Sequence, residues 1–231
     1  LHNFPQLELG RAAVRSGTIM ASFDTFDLEI RGKGAHSALP HAGVDPIMAG
    51  AEVITAMYGS VSRKVDPFQP SVFSVTRFEA GSTYNVIPET AHLAGSLRTI
   101  SPQARDRIES EVKRITRGIC EAHGVRASLT YERRYPPTIN TEAETARAVE
   151  AAGQVLGAEQ VETQCAPVMG SEDFAWMLRA KPGAYLLLGS GKGGVEVMVP
   201  HSPQYDFNDD LIPLGASYWV RLVEDCLPGP E

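Results

Sequence analysis

His36 and His41 sit in Gly32–Pro46, GKGAHSALPHAGVDP, a stretch broken by glycine and proline. An imidazole changes charge near neutral pH and can serve as acid, base, hydrogen-bond donor or metal ligand. On a loop held between rigid elements, such a pair suits chemistry on a bound ligand. A loop histidine taken alone is more often simply solvated. Two more histidines lie close to prolines: His2 in LHNFP at 1–5, and His201 in VPHSP at 199–203. Backbone stiffened this way suits a metal ligand, whose direction must be fixed narrowly. Two histidines do not complete a site, because zinc takes three or four protein ligands. Asn85, in TYNVIP after Ala80-Gly81, falls in a turn. Its amide fits either turn geometry or contact with a ligand carboxylate.

The elements around these residues follow from periodicity. Phe26, Leu28 and Ile30 alternate, which predicts a strand over about 22–31 leading into the histidine loop. Pro46-Ile47-Met48 opens a helix after the loop with Asp45 as its cap. On that helix Ile47, Ala51, Ile54 and Tyr58 form the face expected to pack inward. Strands follow at about 71–79 and 90–99, then a helix with the stripe Ile108, Val112, Ile115 and Ile119, then a strand at about 125–133. The order β-α-β-β-α-β is that of a ferredoxin-like sandwich, here spanning 20–136. Leu93 and Leu97 alternate with His92, Ala94, Ser96 and Arg98. Arg98 is therefore expected away from the helices or near the strand end, where it could be only a solvated charge.

The flanks, 1–19 and 137–231, read as parts of an α/β layer domain interrupted by this central unit. Thr141-Glu142-Ala143-Glu144 is a capping box for a helix with Val149, Ala152 and Leu156 inward. MGSEDF at 169–174 predicts another helix start, with Ser171 as cap and Glu172 and Asp173 in the first turn. A buried strand at Ala184–Leu188 and a last helix at about 211–226, headed by Asp209 and Asp210, complete the set. Gly189–Gly194 has the glycines of a phosphate loop, but Val195–Pro200 reads as extended and no Walker spacing follows. A flexible turn is expected there instead.

Composition narrows the function classes. The 231-residue chain has a net charge of -7 and no stripe of Lys and Arg, which argues against a nucleic-acid partner. Apolar runs such as Ala184–Leu188 are too short to span a bilayer, and no signal peptide is read at Leu1. Three scattered cysteines argue against a disulfide framework and for a reducing, cytoplasmic setting. Cys120 and Cys226 are expected to be buried thiols on helix stripes.

Taken together, LHNFP at 1–5, RGKGAHSALPHAGVDPI at 31–47, AGSTYNVIPETAHLAGSLRT at 80–99, YPPTIN at 135–140, MGSEDF at 169–174 and PHSPQYDF at 200–207 resemble the M20 family of metal-dependent amidohydrolases. The branch is that of hippurate hydrolases, N-acyl-amino-acid amidohydrolases and auxin-conjugate hydrolases. The resemblance implies a partial zinc-peptidase-like α/β catalytic domain with an inserted ferredoxin-like lid that dimerises. It also implies hydrolysis of the amide bond of N-acyl amino acids with two divalent cations, Zn²⁺ or Mn²⁺, per complete site. Metal ligands would be His2 and His201. An oxyanion donor reaching a partner subunit's site would be His36, or else His41. Asn85 and Arg98 would bind the substrate's carboxylate end, Arg98 in bidentate fashion, and Gly170 and Ser171 would line the pocket with helix-start amides. The family's Cys-x-His pair and Glu-Glu base precede the LHNFP-type motif. This chain is thus expected to be an incomplete C-terminal part, inactive alone. The alternative is a non-catalytic dimerisation or ligand-binding module.

Overall fold

A computed structural model describes residues 1–192 and 200–227. In chain order the strands are β1 (His2–Glu8), β2 (Ala12–Ala13), β3 (Gly17–Met20), β4 (Phe23–Arg31), β5 (Ala35–His36), β6 (Ser71–Ala80), β7 (Val86–Ile87), β8 (Thr90–Thr99), β9 (Arg126–Tyr135), β10 (Thr138–Asn140), β11 (Val161–Glu162) and β12 (Leu187–Gly191). The helices are α1 (Pro46–Lys64), α2 (Pro102–Ala122), α3 (Glu142–Leu156), α4 (Phe174–Ala180) and α5 (Leu211–Cys226). The chain divides into two units. One comprises Leu1–Ile19, Thr138–Val168 and Asp173–Glu231; the other, Met20–Pro137 with Met169–Glu172.

In the second unit an antiparallel sheet runs in the order β6-β8-β4-β9. Alternation puts Phe26, Leu28 and Ile30 of β4 on one face with Ala91, Leu93 and Leu97 of β8. These residues form the core with Val53 and Met57 of α1 and Ile108, Val112 and Ile115 of α2. This is the β-α-β-β-α-β sandwich expected from the sequence. A buried charge cluster pins it: Asp24, 1% exposed, accepts from Arg105 Nε at 3.0 and 3.1 Å and from the Tyr131 hydroxyl at 2.8 Å. Burial and the neighbouring Asp24 carboxylate push the Tyr131 phenol far above its ordinary range, so it remains a donor.

Helix α1 starts as predicted, with the Asp45 carboxylate accepting from Ile47 N at 2.8 Å. Its inward face differs from the expectation. Ala49, Gly50, Val53 and Met57 are buried, while Ile47 and Tyr58 are 37% and 45% exposed. Gly50 explains the rotation: a Cβ there would stand 3.0 Å from Phe78 Cζ, so the missing side chain is what seats the helix on the sheet. Two adjacent stripes are apolar, and periodicity alone does not choose between them.

The first unit holds a mixed sheet in the order β1-β12-β2-β11. β1 runs parallel to β12, and β12 antiparallel to β2. Ala148, Ala151 and Ala152 of α3 and Leu211 and Tyr218 of α5 pack with Leu186 and Leu188. Val149 and Leu156, expected inward, are half-buried against the same cluster. The Thr141 hydroxyl donates to the Glu144 carboxylate rather than capping a backbone amide.

Three expectations need correction. Gly189 and Gly191 are strand residues of β12, not a flexible turn: a Cβ at Gly189 would fall 2.0 Å from the Glu8 carbonyl oxygen. The extended reading of Val195–Pro200 lies, up to residue 199, outside the described residues. Helix α4 begins at Phe174, with Asp173 at its cap position, so Ser171 is no cap and neither acid lies in the first turn. The backbone before it is held elsewhere, as Gly170 O accepts from Ala21 N at 2.9 Å. Finally, Cys226 is exposed, whereas Cys120 and Cys165 are buried.

Candidate functional site

Strand β1 fixes His2 by pairing it with Leu187, and His2 N donates to Leu186 O at 3.0 Å. The side-chain Nδ1 lies 2.6 Å from Asn3 O. A carbonyl can only accept, so Nδ1 holds the proton and the neutral ring keeps its lone pair on Nε2. A metal-binding imidazole is oriented in this way, by its other nitrogen donating to a backbone carbonyl. Asn3 Nδ2 donates to the Tyr205 hydroxyl at 2.6 Å, which links the LHNFP and PHSPQYDF segments within one unit. His201, in that second segment, is exposed and has φ +76°. A non-glycine residue in the left-handed region costs about 1–2 kcal/mol, strain that recurs at ligand-binding positions. Among the described residues no group of three or more His, Cys, Asp or Glu is placed to hold a metal ion. His2 therefore fits as one ligand of a set that these residues do not complete.

The other unit builds a second cluster. Gly32 lets the histidine loop close on itself, since a Cβ there would meet Val44 O at 2.1 Å, and Lys33 bridges Val44. β5 pairs with β7, His36 opposite Val86, and Ser37 N donates to Asn85 O at 3.0 Å. The His36 loop and the Asn85 turn are thus one structure. His36 is exposed, and its Nδ1 accepts from Ala38 N at 3.1 Å. In the neutral ring this leaves the proton on Nε2, the reverse of His2. Asn85 is exposed, and its Oδ1 accepts from Thr83 Oγ1 at 3.3 Å. The amide donors of Asn85 are separate from that contact. His41 is exposed in a 3-10 turn at Pro40–Ala42.

Arg98 lies on the sheet face away from the helices, as alternation predicts, but it is not merely solvated. Its guanidinium stacks 4.7 Å from the centroid of the Phe23 ring. Nη1 donates to Met169 O at 3.1 Å and to Ser171 Oγ at 3.3 Å. Arg98, Gly170 and Ser171 are thereby brought together within one unit. The amides of Gly170 and Ser171 precede α4, so they are not the helix-start amides expected. Sequence reasoning did not single out Asn3, Tyr205, Phe23 or Met169. Three of these, Asn3, Tyr205 and Met169, stand inside motifs already conspicuous in the sequence.

Residues 22–123 match the family model of the M20 peptidase dimerisation domain. An N-acetylcysteine deacetylase of Bacillus subtilis is 32% identical, aligned over 96% of this chain and 57% of its own length. An IAA-amino acid hydrolase of Arabidopsis thaliana is 34% identical, over 96% of this chain and 52% of its own. A crystal structure described as a dinuclear metal binding peptidase from the M20 family, from Bacillus subtilis, superposes with a TM-score of 0.76 at 29% identity, over 98% of this chain and 56% of that one. The chain spans about half the length of the curated relatives it matches. It belongs to the M20 family of peptidases and amidohydrolases. No helix among the described residues is long and apolar enough to cross a membrane.

Proposed function

We propose that this chain supplies the lid, Met20–Pro136, and part of the catalytic α/β domain, 1–19 and 137–231, of a cytoplasmic, homodimeric hydrolase that cleaves the amide bond of N-acyl amino acids. The observation that carries the reading is the opposite backbone contact at Nδ1 of two histidines, a carbonyl oxygen at His2 and an amide N–H at His36. His2 offers a lone pair from Nε2, the form a cation takes, whereas His36 offers an N–H, the form an oxyanion takes. His2 and His201 would contribute to holding divalent cations, Zn²⁺ or Mn²⁺. When bound, such cations supply Lewis acidity to the scissile carbonyl and to water. His36 Nε2–H would donate to the oxygen that gains charge as the carbonyl carbon becomes tetrahedral. His41, in the same loop, is the alternative donor. Asn85, with its amide, would hold the carboxylate of the amino-acid portion. Arg98 would share that task while keeping Met169–Ser171 in place beside it. The relatives' names, a deacetylase of an N-acetyl amino acid and a hydrolase of an acyl–amino acid conjugate, support this substrate class.

The test is release of free amino acid from N-acetyl amino acids and hippurate by the polypeptide carrying this chain over its relatives' full length, with Zn²⁺ or Mn²⁺ supplied. Turnover is expected, and His36→Ala should lower kcat about a hundredfold with KM little changed. Equal kcat for His36→Ala and the unaltered enzyme would remove the donor role. Absence of turnover with either metal would overturn the reading itself.

A further inference from the structure

The small sheet of β5 and β7, with its turns, holds bulky apolar side chains in the open amid small and polar residues. Leu39 and Val86 are 52% and 48% exposed, and Tyr84 is fully exposed. Single exposed apolar residues are common on any protein surface, but several gathered at one place mark a contact. Here the backbone gathers them around His36.

β5 and β7 run antiparallel with His36 opposite Val86. The register continues one step further, where Ser37 N donates to Asn85 O at 3.0 Å, so Ser37 and Asn85 occupy a hydrogen-bonded position. Hydrogen-bonded and non-hydrogen-bonded positions alternate along an antiparallel ladder, which makes His36 and Val86 a non-hydrogen-bonded pair. In such a pair the Cα atoms stand about 4.5 Å apart and both side chains leave the same face. Val86 is therefore the immediate neighbour of the imidazole. Leu39 returns to it along the chain: Leu39 N donates to His36 O at 2.8 Å, a four-residue turn that keeps the two Cα atoms within about 7 Å. Tyr84 precedes Asn85 and lies two residues before Val86. Close backbone packing fixes the loop, since a Cβ at Gly43 would stand 2.7 Å from both Lys33 O and Ala35 Cβ.

With His36 at the carbonyl oxygen and Asn85 and Arg98 at the carboxylate, the polar groups at both ends of an N-acyl amino acid are matched. The apolar flank of His36 is left facing the acyl chain, which is bonded to the same carbonyl carbon. We propose that Val86, Leu39 and Tyr84 form the acyl-recognition surface, and that the acyl groups they select are apolar and longer than acetyl. This rests on the N-acyl-amino-acid reading above and names the part of the substrate that these residues discriminate. Selectivity then grows with each methylene that the surface removes from water, and an acetyl group is too short to gain from it.

The test compares kcat/KM for N-acetyl-, N-butanoyl- and N-hexanoylglycine, using the polypeptide that carries this chain over its relatives' full length with Zn²⁺ or Mn²⁺. The hexanoyl-to-acetyl ratio should be about ten or more for the unaltered enzyme. Val86→Ser combined with Tyr84→Ser should bring that ratio to within about threefold of one. Val86→Ile and Tyr84→Phe, which keep the apolar bulk, should preserve it. The order of preference among N-acetyl derivatives of glycine, leucine and phenylalanine should be the same in the double variant as in the unaltered enzyme. A ratio unmoved by the double variant, or a changed amino-acid preference in its place, overturns the acyl assignment and leaves the hydrolysis standing. So does an unaltered enzyme that favours acetyl over hexanoyl, or a double variant that loses dimerisation in sedimentation while its ratio stays unmoved. Absence of turnover on every substrate removes the reading on which the proposal rests.

Discussion

His2 and His36 have the same side chain and differ in where the proton sits, and a single backbone group decides that in each. Asn3 O forces the proton onto Nδ1 of His2, and Ala38 N forces it off Nδ1 of His36. A second residue-scale contrast is Arg98, which the sequence allowed to be a solvated charge. Its contacts with Met169 O and Ser171 Oγ give Arg98→Ala a defined consequence: amide hydrogen exchange across residues 169–172 should quicken, with exchange in α2 unchanged. Asp24 offers a sharper energetic case. Asp24→Ala leaves Arg105, 6% exposed, without its counter-ion, and should cost about 3–5 kcal/mol in urea denaturation. Replacing the pair together with apolar residues should cost much less, because the penalty arises from stranding one buried charge.

At the scale of elements, the strand and helix order was legible because alternation and 3.6-residue spacing are written directly in the residues. Ile108, Val112 and Ile115 mark α2 without ambiguity, and all are buried. Where two readings shared one pattern, packing decided. α1 has two apolar stripes, and α4 could have begun at Ser171 until Gly170 O was committed to Ala21 N. The glycines of β12 carried a turn signal but serve strand contact, so Gly189→Ala should destabilise the chain by at least about 2 kcal/mol in thermal or chemical unfolding. Helix α2 also implies a pH response. The hydrogen bond from Arg114, at 2.7 Å, with that from Ser60, at 2.9 Å, outweighs burial and holds the Glu111 carboxyl below its ordinary range. A carboxyl lowered by folding contributes stability above its unfolded pKa, about 4.3, and loses it as pH falls through the lower folded value. Glu111→Gln should therefore show a shallower decline of stability on acidification below about pH 4.3, read from denaturation midpoints at successive pH values.

At the scale of the molecule, the chain has two separate hydrophobic cores, one under the β6-β8-β4-β9 sheet and one around α3, α5 and β12. Each core can melt by its own cooperative transition, so calorimetry should resolve two transitions. Asp24→Ala should lower only the one belonging to the central unit. The sequence by itself determined the element order, the ferredoxin-like insert and the family motifs, since these depend on residues close together along the chain. Only the tertiary structure decided which stripe of α1 faces inward, that Arg98 holds residues 169–171, that Asn3 ties LHNFP to PHSPQYDF, and which imidazole nitrogen carries each proton. Those outcomes depend on partners distant in sequence or on atom-level direction, and neither periodicity nor spacing encodes such information.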